Sequence, residues 1–440
     1  MSVQEKEDVW ISTNCEMCVG ACGMLVHRVN GDIVGIRGNP DEQTSLGRLC
    51  SKAFSSLTML KDPSRVNAPL KRTNPEKGIG IDPGWVEISW DEALDTITER
   101  LKKIKAEDPR KLLCTGDISV FEAMDLLGAF GSAFGSPNYF MGGSGPCGDA
   151  QHLSACQRYG CISTHADPNY CNYLLNFGCG EGVGTYFIPT GMAQRLAEAR
   201  LRGMKTVVID PVFSPAAAKA NEWIPIRPGT DGFLALTLLN VLLNELRRFD
   251  RSHIQECTNG PYLVDKDGYY LRDHENQKPL LWDSIEKKAK PYDDPTLKDC
   301  ALEGEYDIEG KTAKPAFSLL REHVKHYTPE RAADVTTVSA TTIRRIAREF
   351  GEAASVGSTI EIDGQQLPLR PVATVYYKGA ETHTGGFATC TAIELLTEIM
   401  GARAVPGGVL ATARCLGYPE TGLPKFTVRG SKDGFLENGT

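Results

Sequence analysis

Residues 173–184 read YLLNFGCGEGVG, and residues 205–211 read KTVVIDP. The first begins as an apolar run, as in a strand buried on both faces, and opens at once into closely spaced glycines. The second is rich in β-branched residues and closes on a carboxylate. Between them, the stretch around Gln194 to Arg202 reads as a helix that stops at Gly203. The segment therefore predicts strand, helix and parallel strand, a βαβ unit. The glycines fall at 178, 180, 182 and 184, which is not the G-x-G-x-x-G of a simple nicotinamide site. Their spacing still lets the backbone approach a pyrophosphate, and the helix N-terminus that follows attracts its negative charge. Asp210, ending the returning strand, is placed to accept hydrogen bonds from ribose hydroxyls.

The alternation extends both ways from this unit. Ser89-Trp90-Asp91-Glu92 is a capping box, followed by Ala93, Leu94, Ile97, Leu101 and Ile104 at helical spacing. A short strand at 111–114 then ends at Thr115-Gly116-Asp117. Downstream, RPGTDGFLALTLLNVLLNEL (227–246) starts an apolar helix, for which Gly229-Thr230-Asp231 reads by itself as a cap. Residues 257–273 form a hairpin turning at Asp267-Gly268, and the polar stretch 277–314 reads as surface loop. Residues 328–354 read as one helix, and PVATVYYKGAETHTGG (371–386) as a strand running into a glycine-rich turn. The glycine and proline density of 134–160, FGSPNYFMGGSGPCGDAQHLSACQRYG, marks an irregular loop able to hold a polar site.

At 440 residues the chain exceeds one hydrophobic core, and two or three domains are expected. It carries 48 basic against 56 acidic residues, a formal charge of -8, and no lysine or arginine run to track a phosphate backbone. Nucleic acid is excluded as a partner. MSVQEKEDVW lacks the basic and apolar regions of a leader, and no segment approaches eighteen uninterrupted apolar residues. A soluble, cytoplasmic protein without a membrane span is the expectation. Fourteen cysteines in so long a chain point to reduced thiols and metal ligation.

Four of them are patterned: Cys15, Cys18 and Cys22 in C-x2-C-x3-C, then Cys50 after twenty-seven residues. Three thiolates on one tight loop and a fourth from a distant turn can enclose an iron-sulfur cubane. Zinc is the alternative, but zinc ribbons present two C-x2-C knuckles or a Cys/His pair, and the spacing favours iron-sulfur. HRVNGDIVGIRGNP (27–40) reads as a hairpin with Asn30-Gly31 as a type I′ turn.

The cysteine spacing, the hairpin ending in G-N-P and G-R-L-C-S-K (47–52) together resemble the N-terminal domain of the molybdopterin oxidoreductase family, the dimethyl sulfoxide reductase type. The resemblance implies a 4Fe-4S cluster held by Cys15, Cys18, Cys22 and Cys50, with Lys52 between the cluster and a pterin. It implies an α/β fold: a small cluster domain over residues 1–64, a discontinuous α/β domain of 65–138 with 335–440, and a Rossmann-like domain over 139–334 binding one guanine dinucleotide. The family holds the guanosine diphosphate end of a molybdopterin guanine dinucleotide on segments matching Phe177 to Gly184, Ile209 to Phe213 and Gly229 to Asp231. This assigns Gly178, Gly180, Glu181, Gly182, Asp210, Pro211, Gly229, Thr230 and Asp231 to the cofactor, with Lys378 and Thr382 lining it.

A lone loop cysteine is most often a small buried residue, but family members with a cysteine ligand place it at an offset that Cys147 matches, thirteen residues before Gly160. Cys147 is therefore the expected ligand of molybdenum or tungsten, with Cys156 second. A thiolate suits a metal already bound by four dithiolene sulfurs. His383 falls where the family chain passes the metal, and a substrate or proton-transfer role is expected for it.

The family's formate dehydrogenases have a histidine after the ligand, where this chain has Gly148, and its hydratase has an aspartate where this chain has Val19. The expectation is thus a catalytic subunit moving two electrons at the metal, with two dinucleotides, and closest to the branch reducing sulfur and oxo compounds. Its partners are a chain supplying the C-terminal dinucleotide-binding domain, an iron-sulfur electron-transfer subunit, plus a small-molecule substrate. A non-redox hydratase and a pterin-free cluster relay are the alternatives.

Overall fold

Strands β1 (Asp8–Asn14), β2 (Gly23–Val29) and β3 (Asp32–Gly38) form an antiparallel sheet, in that order, in the computed structural model. It describes residues 7–18, 20–43, 45–117, 121–142, 148–161, 163–180 and 189–411. The β2–β3 turn is the expected one, with Asn30 at φ 50° and Gly31 at φ 88°, both in the left-handed region of a type I′ turn. Helix α1 (Ser51–Leu60) follows. Strands β4 (Leu70–Arg72) and β5 (Trp85–Glu87) pair antiparallel and lead into α2 (Trp90–Glu107). Ser89 caps α2 as expected, its hydroxyl accepting from the Glu92 N–H at 3.1 Å. The apolar stripe of α2 is uncovered among the described residues: Leu94 and Ile97 are each 55% exposed. A parallel pair, β6 (Cys114–Asp117) and β7 (Tyr139–Gly142), flanks α3 (Phe121–Phe134).

These elements make one compact unit, mainly of residues 7–142; residues 148–411 make most of a second. It opens with α4 (Asp149–Tyr159), β8 (Thr164–Ala166), β9 (Tyr173–Phe177), α5 (Pro189–Leu201), β10 (Lys205–Ile209), β11 (Glu222–Ile224) and α6 (Asp231–Asn240). After α7 (Arg251–Cys257) come β12 (Leu263–Asp265), β13 (Leu280–Asp283), β14 (Lys288–Pro291), β15 (Tyr306–Ile308) and β16 (Lys311–Pro315). Helices α8 (Ala316–Val324), α9 (Pro329–Thr336) and α10 (Ala340–Ala353) precede the hairpin β17 (Thr359–Ile362) and β18 (Gln365–Pro368). The unit ends with β19 (Val372–Tyr376), α11 (Lys378–Glu381), α12 (Gly386–Glu398) and β20 (Val409–Ala411).

Its central sheet runs β11-β10-β9-β19, every pair parallel. The alternate side chains of β9 explain the layers. Tyr173, Leu175 and Phe177 enter a core that also takes residues of α6, α10 and α12. Leu174 points to a smaller core with Leu196 and Ala199 of α5. Burial of each such side chain is worth about 1.5–3 kcal/mol.

β19, within residues 335–440, hydrogen-bonds to β9 of the 139–334 segment. Several local expectations differ from what is observed. Within 134–160, α4 occupies 149–159, because the polar sequence DAQHLSACQRY has buried polar partners that spacing of apolar residues does not reveal. The 277–314 stretch is not plain loop: β13 pairs with β14, and β15 and β16 join β12 in a three-stranded sheet. Its small core is hidden in polar sequence, for Lys290 is buried and donates to Asp283 at 2.8 Å and to the Thr296 carbonyl at 2.7 Å. Residues 328–354 form two helices, since Thr337 takes φ 70° and Ser339 caps α10 through the Thr342 N–H.

Candidate functional site

The loop joining β1 to β2 carries Cys15, Cys18 and Cys22. Its ends are drawn together by the Cys15 N–H, which donates to the Cys22 carbonyl at 2.9 Å. Cys15, Cys22 and Ala53 of α1 form a small buried core, with Met17, Met24, Ile36 and Leu49 against it. Cys50 is the N-cap of α1, so the helix start brings the fourth thiol to the loop. Burial pushes the Cys15 thiol up, and the nearby thiols of Cys18 and Cys50 push it further, while the Met17 N–H opposes them. Thus Cys22 packs with Cys15, and Cys18 and Cys50 lie near enough to Cys15 to act on it electrostatically, thiols of the kind that ligate a 4Fe-4S cluster. Among the described residues no three His, Cys, Asp or Glu side chains stand at the spacing of a single-ion site. Lys52 is the second residue of α1 and half-buried.

In the second unit the site residues collect at the C-terminal ends of the parallel strands. The chain runs from β9 outward to β10 and β11, then returns on the other side of β9 as β19. The strand order reverses between β9 and β19, the place where such sheets bind ligands. Gly178 (φ 57°) leaves β9 and Gly379 leaves β19, and here the two backbones touch. A Cβ on Gly379 would stand 2.5 Å from the Gly178 carbonyl oxygen, and one on Gly178 would stand 3.0 Å from the Gly379 Cα. Side chains are excluded at this crossing, which leaves backbone for a ligand to approach.

Asn176 shapes the turn beyond β9. It is fully buried, its Nδ2 donates to the Cys179 carbonyl at 2.9 Å and its Oδ1 accepts from the Cys179 N–H at 3.0 Å. Sequence reasoning missed this residue, although a lone amide inside YLLNF was its signal. Asp210 follows β10, with Oδ1 accepting from the Val212 N–H at 2.9 Å, and Pro211 is exposed beside it. Gly229 (φ 77°) and Thr230 precede α6, but the Thr230 hydroxyl turns back to the Arg227 carbonyl and does not cap the helix. Asp231 is buried, and burial pushes its carboxyl up to about 6, with Asp210 adding to the rise and His383 opposing it. Asp210, Asp231 and His383 therefore share one electrostatic neighbourhood.

Lys378, Thr382 and His383 are exposed around α11. Both ring nitrogens of His383 are engaged locally: Nδ1 accepts from the Gly385 N–H at 3.1 Å, and Nε2 faces the Ala380 carbonyl at 3.1 Å. With Nδ1 accepting, Nε2 is the nitrogen that donates to the Ala380 carbonyl. Gly180 ends the described turn after β9, while Cys147, Glu181 and Gly182 lie outside the described residues. Cys156, the second ligand candidate, is exposed on α4.

A four-cysteine domain, with a doubly wound sheet whose switch point gathers glycine turns and carboxylates, is the architecture of a protein that pairs a metal-binding thiol cluster with an α/β ligand-binding sheet. A sequence profile of the molybdopterin oxidoreductase family matches residues 65–409, and one of the molybdopterin oxidoreductase Fe4S4 domain matches residues 8–61. The chain belongs to the molybdopterin oxidoreductase family. It is 32% identical to one subunit of the sulfite dehydrogenase of Allochromatium vinosum over 90% of this chain and 43% of that protein. With the arsenate respiratory reductase molybdopterin-containing subunit of Shewanella sp. it shares 29% over 78% and 36% of the two chains. Its fold is similar to that of acetylene hydratase from Pelobacter acetylenicus, with a TM-score of 0.61, 22% identity, and coverage of 91% and 44%. The chain thus spans less than half the length of the relatives it matches.

Proposed function

We propose that the chain forms the catalytic subunit of a bis(molybdopterin guanine dinucleotide) oxidoreductase containing molybdenum or tungsten. The metal would supply two-electron chemistry on a sulfur or oxo compound, and the 4Fe-4S cluster would link it to an iron-sulfur partner. The observation that carries this reading is the meeting of Gly178, Asp210, Asp231 and the Lys378–His383 segment at one switch point. Names of the relatives point the same way, a sulfite dehydrogenase and an arsenate reductase.

The bound metal supplies the two-electron chemistry, and the chain's residues hold it in place. Gly178 and Gly180 would let backbone reach the pyrophosphate, with Pro211, Gly229 and Thr230 beside it, and the family resemblance assigns Glu181 and Gly182 to the same cofactor. Asp210 accepts from a ribose hydroxyl. Asp231, raised by burial to about 6 and so still a carboxylate at neutral pH, is suited to accept a hydrogen bond at the dinucleotide. Lys378 and Thr382 line the pterin. His383, its ring held by the backbone at both nitrogens, serves as a shaped polar wall in that lining. Cys147 ligates the metal.

The relatives extend well beyond the matched region, and the proposed partner is a chain supplying the C-terminal dinucleotide-binding domain. The assembly purified with that partner should contain molybdenum or tungsten, iron and guanine dinucleotide. Iron and sulfide without either heavy metal point to a cluster relay, and zinc in place of iron removes the reading altogether.

Lys52 stands two residues beyond Cys50, where a fixed positive charge stabilises an electron moving between anionic cofactors. Lys52→Met should slow reduction of the iron-sulfur partner while metal and iron contents stay unchanged. Stopped-flow rates equal to those of the unaltered protein remove Lys52 from the path.

A further inference from the structure

We infer that Glu381 is a positioning residue, which fixes the first turn of helix α4 to the segment bearing Lys378, Thr382 and His383 by capping that helix from a distant part of the chain. The inference rests on the reading of that segment as the lining of the cofactor.

Helix α4 begins directly after Gly148, its N-cap, which has no side chain to offer the first-turn N–H groups. Glu381 does this from the far side of the site. Its Oε2 accepts from the Gln151 N–H at 2.7 Å, across 230 positions of sequence. The residue is 4% exposed, so this bond is made in a setting of low dielectric. Its second oxygen, Oε1, is buried without a hydrogen-bond partner and faces the same turn: a Cβ on Gly148 would stand 3.6 Å from it. A carboxyl held this way is costly to the fold, which burial expresses by raising its proton affinity against the Gln151 N–H and Lys378. A cap alone could be had from serine or aspartate at position 148. Placing the carboxyl on α11 instead joins two parts of the site.

The rest of α4 is mounted in the same manner. Only Gln151, Ser154 and Ala155 of this helix are buried. The Ser154 hydroxyl donates to Glu394 Oε2 on α12 at 2.6 Å, and Arg158 lies 3.5 Å from the same oxygen. Directional hydrogen bonds, where apolar packing would tolerate sliding, set the rotation and register of α4. The first turn is thereby locked to the segment that bears Lys378, Thr382 and His383.

Hydrogen exchange on the 440-residue chain and electron paramagnetic resonance of the purified assembly test this together. In Glu381→Ala, exchange of the Gln151 amide should rise roughly ten- to hundredfold, the factor carried by a hydrogen bond to a charged group. The signal of the pentavalent metal should shift or broaden at unchanged metal and iron content. Glu381→Gln keeps an oxygen acceptor and should restore both. Unchanged exchange in Glu381→Ala overturns the cap, and raised exchange with an unaltered metal signal overturns the positioning role. Should Glu381→Ala lose protection throughout the chain, Glu381→Gln decides: exchange as high there as in an uncapped helix overturns the inference. A wild-type assembly holding neither molybdenum nor tungsten fails the cofactor reading instead, and leaves the cap measured by exchange.

Discussion

Cys147→Ala is expected to abolish turnover while the iron content and the resonance signal of the cluster stay as in the unaltered assembly. The loss should exceed the roughly 10–100-fold that removal of an outer-shell partner costs, because a thiolate bonded to the metal sets its electron density and its open position directly. The cluster is spared for a structural reason. Cys15 and Cys22 pack with Ala53 in a core of their own, in the unit built mainly from residues 7–142. Gly148 and α4 belong to the other unit. Activity equal to that of the unaltered assembly moves the ligand to Cys156 or removes a cysteine ligand. Cys156 is at a disadvantage, since it stands exposed on the third turn of α4, whereas position 147 adjoins Gly148 at the N-cap.

How far the sequence leads is set by which forces leave a periodic trace. β9 and β10 were legible because a parallel strand buried on both faces must be apolar throughout, and the Asn30-Gly31 turn because two successive left-handed residues need those side chains. The α2 cap was legible from Ser89 and Glu92 alone. Helix α4 was not, because it is held by Gln151, Ser154 and Arg158 through bonds to Glu381 and Glu394, and a polar sequence does not announce which of its polar groups are buried. The strands between 280 and 315 were hidden for the same reason, with Lys290 and Asp283 in the interior. At the site, the glycines and aspartates were found by spacing and family resemblance. Glu381 and Asn176 depend on contacts between distant segments and within a turn, which neither spacing nor period records.

Cys15→Ala is expected to bring iron from about four atoms per chain toward zero and to remove the cluster's resonance signal. Cys15 acts at two levels. Its thiol faces those of Cys18 and Cys50, and its N–H closes the loop onto Cys22. Burial raises the proton affinity of the Cys15 thiol and the nearby Cys18 and Cys50 add to it, so ionisation of Cys15 is disfavoured in the bare loop. A bound cluster reverses that sign, and metal binding then becomes part of the folding free energy of the small sheet and α1. Alanine preserves the loop's backbone bond but deletes one of four ligands. The unit should therefore lose its metal-dependent protection against exchange, from the β1–β2 loop to the first turn of α1. The second unit has its own core around Phe177, Leu175 and Phe350 and should melt as before. Iron retained at the original level with an unchanged signal would mean that Cys15 is a packing residue, and that the fourth ligand must be sought elsewhere in the chain.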